Sequence, residues 1–217
     1  MLFPDKLINM NLDRYKVLIF DVDGLLYDMR KMHYYMAIAL IKYYMPRFWK
    51  LKELLIIYFF RKEREKLAKD ALCGIEFRQH KVVASKLSVS VDIVRAVIRF
   101  WMFEMPLKFI NKCQNNEIAD FINSVALKEK KIIYFSDYPA AEKIKKLGLR
   151  SDYIFCSTSA EIDSLKPSPK GLEVILKKTS LKPDDCLLIG DRDDKEGEMA
   201  RQIGMPYLII NKKRLSL

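Results

Sequence analysis

Two acidic residues at the end of an apolar run are the first candidates for chemistry in this chain. Asp21 and Asp23 directly follow the run Val17–Phe20 and precede Gly24. Alternate side chains of an extended segment point to the same side, so the two carboxylates can converge. Neighbouring carboxylates repel each other and readily bind a hard cation such as Mg²⁺. An isolated Asp-x-Asp pair also occurs in surface turns, and its position after a buried strand is what makes this pair informative.

Three further polar residues have comparable positions later in the chain. Ser136 ends the apolar run Lys131–Ser136, and Asp191 follows the run Cys186–Gly190. Lys166 lies in the loop sequence Ser-Leu-Lys-Pro-Ser-Pro, whose prolines restrict the backbone. In an open parallel sheet, ligands bind beyond the carboxyl ends of the strands. We therefore expect chemistry beyond the strand that ends in Asp21 and Asp23.

The elements needed to position these residues follow an α/β pattern. Apolar runs that end at Phe20, Ser136 and Gly190 predict strands buried on both faces. Helical patterns separate the runs, in the order strand, helices, strand, helix, strand, helix, strand. This order predicts a doubly wound parallel sheet, a Rossmann-like α/β core, with an α-helical insertion directly after the first strand.

The insertion is predicted to be almost entirely helical. We divide the chain into a core domain of residues 1–28 and 115–217 and a helical domain of residues 29–114. The many aromatic side chains of the insertion suit a packed core, a hydrophobic substrate pocket, a dimer surface or a membrane-facing patch. Periodicity predicts helices over Met32–Met45, Glu53–Lys69, Ile75–Lys86, Ser90–Phe103 and, before the second strand, Asn116–Lys128.

The four motifs, taken in order, resemble those of the haloacid-dehalogenase-like hydrolase superfamily. The similarity covers residues 15–28 and 115–211 and suggests a phosphatase of the phosphoglycolate-phosphatase type with a helical cap. It implies a hydrolase that acts on a small-molecule phosphate monoester through an aspartyl-phosphate intermediate, with Mg²⁺ as cofactor. The alternatives are a phosphotransferase (a mutase) that uses the same site, and a non-catalytic protein on this fold that binds a partner or a membrane.

The resemblance also implies a role for each polar residue of the motifs. Asp21 would be the nucleophile, which splits hydrolysis into two easier steps, and Asp23 would be the general acid and base. Relatives that displace halide lack the second acid, so Asp23 argues against dehalogenation. Ser136, with Asp137 beside it, would bind the phosphate, and Lys166 would neutralise the nucleophile and the substrate.

Metal ligands follow from the same resemblance. Asp21, the main-chain carbonyl of Asp23 and the carboxylate of Asp191 would bind Mg²⁺ directly. Relatives often carry a further acid after the Gly-Asp-Arg sequence. Counting in that register assigns this acid to Glu196, with Asp194 as the competing candidate.

Two further residues near the first motif bear on the resemblance. Leu25 stands where relatives frequently have Thr. Asp28 matches an acid that is common at the start of the cap. It would either contact the substrate or cap the following helix.

Composition and charge set the remaining expectations. The 217 residues carry 39 Lys and Arg against 28 Asp and Glu, a formal charge of +11. Such an excess suits solvated helix faces, attraction of an anionic substrate, or binding to nucleic acid or an anionic membrane, but no nucleic-acid module is recognised. No apolar run is long enough to span a membrane, and the start lacks a signal-peptide pattern. We predict a cytoplasmic monomer or homodimer that binds no nucleic acid and whose four cysteines are buried thiols.

Overall fold

A parallel β-sheet forms the centre of the fold. The computed structural model describes residues 12–70, 74–126 and 130–210. The strands of the sheet are β1 (Val17–Phe20), β2 (Lys131–Ser136), β3 (Tyr153–Cys156), β4 (Cys186–Gly190) and β5 (Tyr207–Ile209). All neighbouring strands are parallel and follow the order β3-β2-β1-β4-β5. The chain therefore winds outward from β1 in one direction and then in the other, which confirms the predicted doubly wound α/β fold.

Helices make up most of the remaining described structure. In chain order they are α1 (Met29–Tyr44), α2 (Lys52–Asp70), α3 (Ile75–Leu87), α4 (Val91–Ile98), α5 (Ile110–Cys113), α6 (Asn116–Ala126), α7 (Ala141–Lys146), α8 (Lys170–Thr179) and α9 (Glu198–Gln202). Three of the inter-strand connections contain one of these helices each: α7 lies between β2 and β3, α8 between β3 and β4, and α9 between β4 and β5. Crossover helices of this kind are what a parallel sheet requires.

The chain forms two compact units. One is Met29–Cys113, which contains α1 to α5 and which we call the helical unit. The other, which we call the core unit, contains the sheet and the rest of the described chain. In the core unit, Tyr27 forms an isolated antiparallel bridge with Gln114, so the two ends of the insertion lie side by side. A role of the helical unit as a substrate cap stays a prediction.

The central strand β1 is enclosed on all sides. Each of its residues is buried, and its first residue, Val17, pairs with Lys131 of β2 and with Cys186 of β4. A strand in this position packs apolar side chains against layers on both faces, which is why its sequence is a continuous apolar run. The run ends where the polar residues of the first motif begin.

The predicted helices are present, with local differences at their ends. The helix that starts the insertion stops at Tyr44, and Pro46 falls in the 3₁₀ segment Met45–Lys50 that follows it. Ser90 caps α4, since its side chain accepts a hydrogen bond from the amide of Ile93 at 3.2 Å. After α4, the segment Arg99–Glu104 is a π-helical turn. The last residues predicted for the helix Asn116–Lys128 lie outside the described residues.

Aromatic side chains of the helical unit divide into buried and exposed groups. Tyr44 and Trp101 are buried, their rings stack, and the Trp101 Nε1–H donates to the Tyr44 hydroxyl at 2.8 Å. Phe48 and Trp49, by contrast, are 71 % and 65 % exposed. Core packing thus explains some of the aromatic side chains and leaves others unexplained.

Two further expectations concern the cysteines and the membrane. Cys113 and Cys186 are buried free thiols and Cys156 is half-buried, while Cys73 lies outside the described residues. Among residues 12–70, 74–126 and 130–210, no helix is both long and apolar enough to cross a membrane. The cytoplasmic location stays a prediction.

Candidate active site

The carboxyl ends of the central strands bring the predicted polar residues to one edge of the sheet. Asp21 directly follows β1, and its amide donates to the carbonyl of Ile189 in β4 at 2.9 Å. Ser136 is the last residue of β2, and Asp191 directly follows β4. The direction of winding reverses between β1 and β4, which is the point where open α/β sheets bind ligands.

Lys166 connects two carboxylates of this site. Its Nζ donates to Asp21 Oδ1 at 2.5 Å and to Glu196 Oε1 at 2.9 Å. A third bond, of 3.0 Å, goes to the carbonyl oxygen of Phe135. The side chain is only 2 % exposed, so all of these contacts lie away from water. The loop after β3 thus delivers a buried cation to the acid that ends β1.

The pKa values of Lys166 and Asp21 are both raised, for different reasons. Burial alone would lower the pKa of Lys166, but the charges of Asp21 and Glu196 outweigh it and raise the pKa. Burial also raises the pKa of Asp21 well above its usual value, against the opposing charge of Lys166. The ammonium group therefore stays charged and offsets part of the negative charge at the end of β1.

Asp23 is held by a second lysine that the sequence analysis did not identify. Lys143 Nζ donates to Asp23 Oδ1 at 2.5 Å, and the hydroxyl of Tyr27 donates to the same oxygen. The hydroxyl of Ser136 donates to the other oxygen, Oδ2, at 3.2 Å. Burial alone would raise the pKa of Asp23, but the charge of Lys143 and these hydrogen bonds lower it. Asp23 is therefore an oriented carboxylate in the structure.

The sequence contains only a weak indication that Lys143 is buried. It lies on α7 between Ala140 and Leu147, at spacings of three and four residues, and both of these neighbours are buried. Lys145 and Lys146 on the same helix are exposed. A lysine in register with the buried stripe of an amphipathic helix was the available signal. Without the fold, nothing in the sequence relates that stripe to Asp23.

Gly24 makes room for the acid that follows β4. It adopts a φ of +97°, a conformation that L side chains rarely adopt. A Cβ at this position would collide with the carboxylate of Asp191. Burial, and then the charge of Glu196, raises the pKa of Asp191 to about 6. The glycine of the first motif thus allows Asp191 to approach the turn that carries Asp21 and Asp23.

The structure distinguishes Glu196 from Asp194, the two candidates for the acid that follows the Gly-Asp-Arg sequence. Glu196 is 2 % exposed, contacts Lys166 and lies against Gly190, where a Cβ would collide with its side chain. Asp194 is 69 % exposed and forms a bidentate ion pair with Arg192. The π-helical segment Asp193–Gly197 directs the glutamate inward and leaves the aspartate in solvent. The contacts favour Glu196.

Asp137 and Asp28 were also predicted to bind substrate, and their surroundings differ from those of Ser136. Asp137 Oδ1 accepts bonds from the hydroxyl of Ser157 at 2.8 Å and from the amide of Lys166 at 3.1 Å. Its Oδ2 accepts from Lys195 Nζ at 3.1 Å. These contacts favour a supporting role, in which Asp137 fixes the loop that carries Lys166, over direct contact with substrate. Asp28 is half-buried immediately before α1, and both of its predicted roles stay open.

The acids fit a magnesium ion in the chemistry of their donor atoms. Among the described residues, Glu196 Oε2 is a buried carboxylate oxygen with no hydrogen-bond partner. Burial first, and then the charges of Glu196 and Asp191, raise the pKa of Asp21 against the opposing charge of Lys166, so these acids act on the nucleophile's carboxylate. No group of three or more His, Cys, Asp or Glu side chains within the described ranges forms a ready metal site. Metal binding by Asp21, Asp191, Glu196 and the main-chain carbonyl of Asp23 stays a prediction.

Comparisons with known proteins agree on one family. The model of the haloacid dehalogenase-like hydrolases matches residues 15–204. A 2-haloacid dehalogenase from Pseudomonas syringae pv. Tomato DC3000 is similar in structure, with a TM-score of 0.63 at 15 % identity over 94 % of this chain and 89 % of that one. No curated protein matches this chain in sequence.

Two further solved structures extend the comparison. The putative hydrolase YfnB from Bacillus subtilis, bound to magnesium, has a TM-score of 0.63 at 13 % identity over 92 % of this chain and 90 % of its own. A predicted phosphoglycolate phosphatase from Haemophilus somnus 129pt has a TM-score of 0.54 at 15 % identity over 90 % and 85 %. At such identities the likeness concerns the fold, and the reaction has to be argued from the site.

Proposed function

Because this chain belongs to the haloacid dehalogenase-like hydrolases, we propose that it is a Mg²⁺-dependent phosphatase that hydrolyses a small phosphate monoester through a phosphorylated Asp21. Membership of this family makes the protein a hydrolase, and its members with solved structures include both dehalogenases and phosphatases. The choice between these reactions depends on the second acid of the first motif.

The observation that carries the proposal is the oriented carboxylate of Asp23. Displacement of halide needs a nucleophile but no proton for the leaving group, because halide leaves as a stable anion. Cleavage of an alkyl phosphate produces an alkoxide, which needs a proton donor in the transition state. Lys143, Tyr27 and Ser136 all donate hydrogen bonds to Asp23. Three contacts therefore hold in place an acid that dehalogenation does not use.

The side chains support a reaction in two steps. In the first step an oxygen of Asp21 forms a bond to phosphorus as the bond between phosphorus and the leaving oxygen breaks. Asp23 is a carboxylate in the free protein, so it first takes up a proton from solvent and then gives it to the leaving oxygen. In the second step Asp23, now a carboxylate, takes a proton from the attacking water, and the bond between phosphorus and Asp21 breaks. Lys166 offsets the charge of Asp21 and the phosphate in both steps.

Asp21, Asp191 and the main-chain carbonyl of Asp23 would hold the magnesium ion, with Glu196 beside them. A bound Mg²⁺ supplies screening of the repulsion between an anionic nucleophile and an anionic substrate. The orphaned Glu196 Oε2 is available either to the ion or to one of its waters. Ser136 would turn its hydroxyl, which donates to Asp23 at 3.2 Å, toward a phosphate oxygen of the substrate.

A comparison of two substrates tests the proposal. Phosphate release from p-nitrophenyl phosphate and chloride release from 2-chloropropionate are measured with and without Mg²⁺, for the purified protein and for Asp21→Asn. Asp193→Asn is the matched control, because Asp193 is an exposed acid that pairs with Arg201. We expect phosphate release that needs Mg²⁺ and is lost only in Asp21→Asn. Chloride release without phosphate release would replace this proposal with dehalogenation.

A further inference from the structure

The excess positive charge of the protein is confined to the helical unit. Residues 29–113 carry 18 Lys and Arg against seven Asp and Glu, a formal charge of +11. The rest of the chain carries 21 of each and is neutral. The site at the edge of the sheet therefore does not account for the basic composition. An anionic partner of the helical unit would account for it.

The helical unit also exposes a contiguous set of apolar side chains, which we call the aromatic patch. They are large, they lie within 14 consecutive positions, and their exposed fractions run from 47 % to 77 %. The rings of Phe48 and Trp49 form a T-shaped pair with centroids 5.4 Å apart. The members of the patch are Met45, Phe48, Trp49, Leu51, Leu55 and Tyr58.

Helix α2 shows that the patch is separate from the core of the unit. Its inner face is formed by Ile56 and Phe60, which are 2 % and 1 % exposed. Leu51, directly before α2, and Leu55 and Tyr58 on it follow the spacing i, i+4, i+7 and are exposed. One apolar face is enough to pack a surface helix onto its neighbours, so the packing of α2 does not require these exposed side chains.

Basic residues alternate with the patch along the chain. Arg47, Lys50 and Lys52 lie between its members, and the side chain of Lys50 is 42 % exposed. Glu53 is the one acidic residue between positions 42 and 62. Its carboxylate accepts a hydrogen bond from Tyr44 and lies 3.8 Å from Lys50. The surface around the patch is therefore strongly positive.

We propose that the aromatic patch docks onto an anionic lipid surface. Trp, Phe and Tyr side chains with Leu and Met beside them suit the boundary between headgroups and acyl chains. Lys and Arg that alternate with them are attracted by the negative potential of anionic lipids. The proposal is independent of the reaction at Asp21 and concerns where the enzyme works.

A second copy of the chain fits this surface less well. A twofold contact pairs the same patch from both copies, so Arg47, Lys50 and Lys52 of one copy would face the same residues of the other. Like charges in a desolvated contact cost free energy. Anionic lipids, by contrast, provide negative charge along the whole rim of the patch.

Vesicle co-sedimentation of the full chain tests the proposal. Vesicles of phosphatidylcholine alone are compared with vesicles that also contain phosphatidylserine, at low and at high salt. Phe48→Ser/Trp49→Ser removes the rings, and Arg47→Ala/Lys50→Ala/Lys52→Ala removes the charges. We expect binding only to the phosphatidylserine vesicles. It should fall at least about tenfold without the rings and about a hundredfold without the three charges, at roughly fivefold each.

Matched controls show whether such losses are specific to the patch. Phe77→Ser removes an aromatic side chain that is 62 % exposed in the same unit, and Arg95→Ala/Arg99→Ala/Lys108→Ala removes three charges outside the patch. Both should bind like the wild type, as should Asp21→Asn, which separates docking from catalysis. Circular dichroism confirms that each variant is folded.

Several outcomes would overturn the proposal. One is equal binding to both kinds of vesicle, and another is no binding to either. Binding that survives Phe48→Ser/Trp49→Ser would indicate a general polyanion surface instead of a lipid-docking one. A concentration-dependent dimer in sedimentation equilibrium that is lost in the same variant would assign the patch to self-association.

Discussion

Replacing Lys143 with Met removes the ammonium group that holds Asp23 while keeping the apolar part of the side chain. Lys143 is 7 % and Asp23 23 % exposed in their side chains, and the contact between them is 2.5 Å long. If Asp23 is the acid and base of the reaction, its position depends on this contact. We therefore expect the substitution to reduce turnover without unfolding the protein.

The size of the effect follows from the geometry. Opposite unit charges at 2.5 Å attract by about 7 kcal/mol at an effective dielectric constant of about 20, but desolvation of both groups removes much of this. A hydrogen bond to a charged group contributes about 1.5–3 kcal/mol net. A loss of that size in the transition state lowers kcat/KM about 10- to 100-fold. Complete loss of general acid–base catalysis, about 10²–10⁴-fold, sets the upper limit.

The assay is steady-state hydrolysis of an aryl phosphate, with thermal unfolding measured in parallel. Lys145→Met is the control, because Lys145 lies on the same helix and is exposed. Asp23→Ala should be inactive, and adding Lys143→Met to it should cause little further loss, since both changes remove one function. Wild-type kcat/KM in Lys143→Met, or full additivity in the double variant, would refute a positioning role for Lys143.

Three more predictions concern the acids and the first turn of the site. Asp21→Asn should lower kcat by about four orders of magnitude or more in a protein that stays folded, and near-wild-type turnover would exclude it as the nucleophile. Glu196→Gln should raise the Mg²⁺ concentration for half-maximal activity more than Asp194→Asn does, and the reverse order would assign the metal-associated role to Asp194. Gly24→Ala should cost about 1–3 kcal/mol of stability and most of the activity. The new Cβ would collide with the Asp191 carboxylate, and φ at this position is +97°. A fully active variant would show that the close approach of Asp191 to Gly24 is not needed.

Sequence reasoning predicted the parts of the fold that have a strong periodic signal. The family, the parallel sheet and the central strand Val17–Phe20 followed from apolar runs that end in polar motifs. The predicted order contained one strand between Ser136 and Cys186 without bounds, which is Tyr153–Cys156, and did not contain Tyr207–Ile209; both lie at an edge of the sheet. Edge strands are covered on fewer sides, so their sequences carry a weaker apolar pattern.

The candidate site was predictable where a residue ends a strand and less so where a helix delivers it. Asp21, Ser136 and Asp191 lie at strand ends, and the structure brings their elements to one edge. Lys143 reaches Asp23 from 120 positions away on a helix whose sequence resembles an ordinary basic surface helix. Contacts at such a separation depend on the tertiary fold and not on local pattern.

The net charge of the sequence did not indicate which partner or surface it serves. The total of +11 was compatible with solvated helices, substrate attraction or an anionic partner. The boundary of the helical insertion, already predicted from the sequence, divides the charge, and residues 29–113 hold the entire excess. The same division separated the buried pair of Tyr44 and Trp101 from the exposed Phe48 and Trp49.

Trapping the covalent intermediate tests the central claim most directly. The protein is mixed with p-nitrophenyl phosphate and Mg²⁺, quenched in acid within the first turnover, digested and analysed by tandem mass spectrometry. We predict a phosphoryl group on Asp21 that appears before free phosphate and is absent from Asp21→Asn. Turnover with no phosphoryl group on the enzyme, or with the group on another residue, would contradict the account.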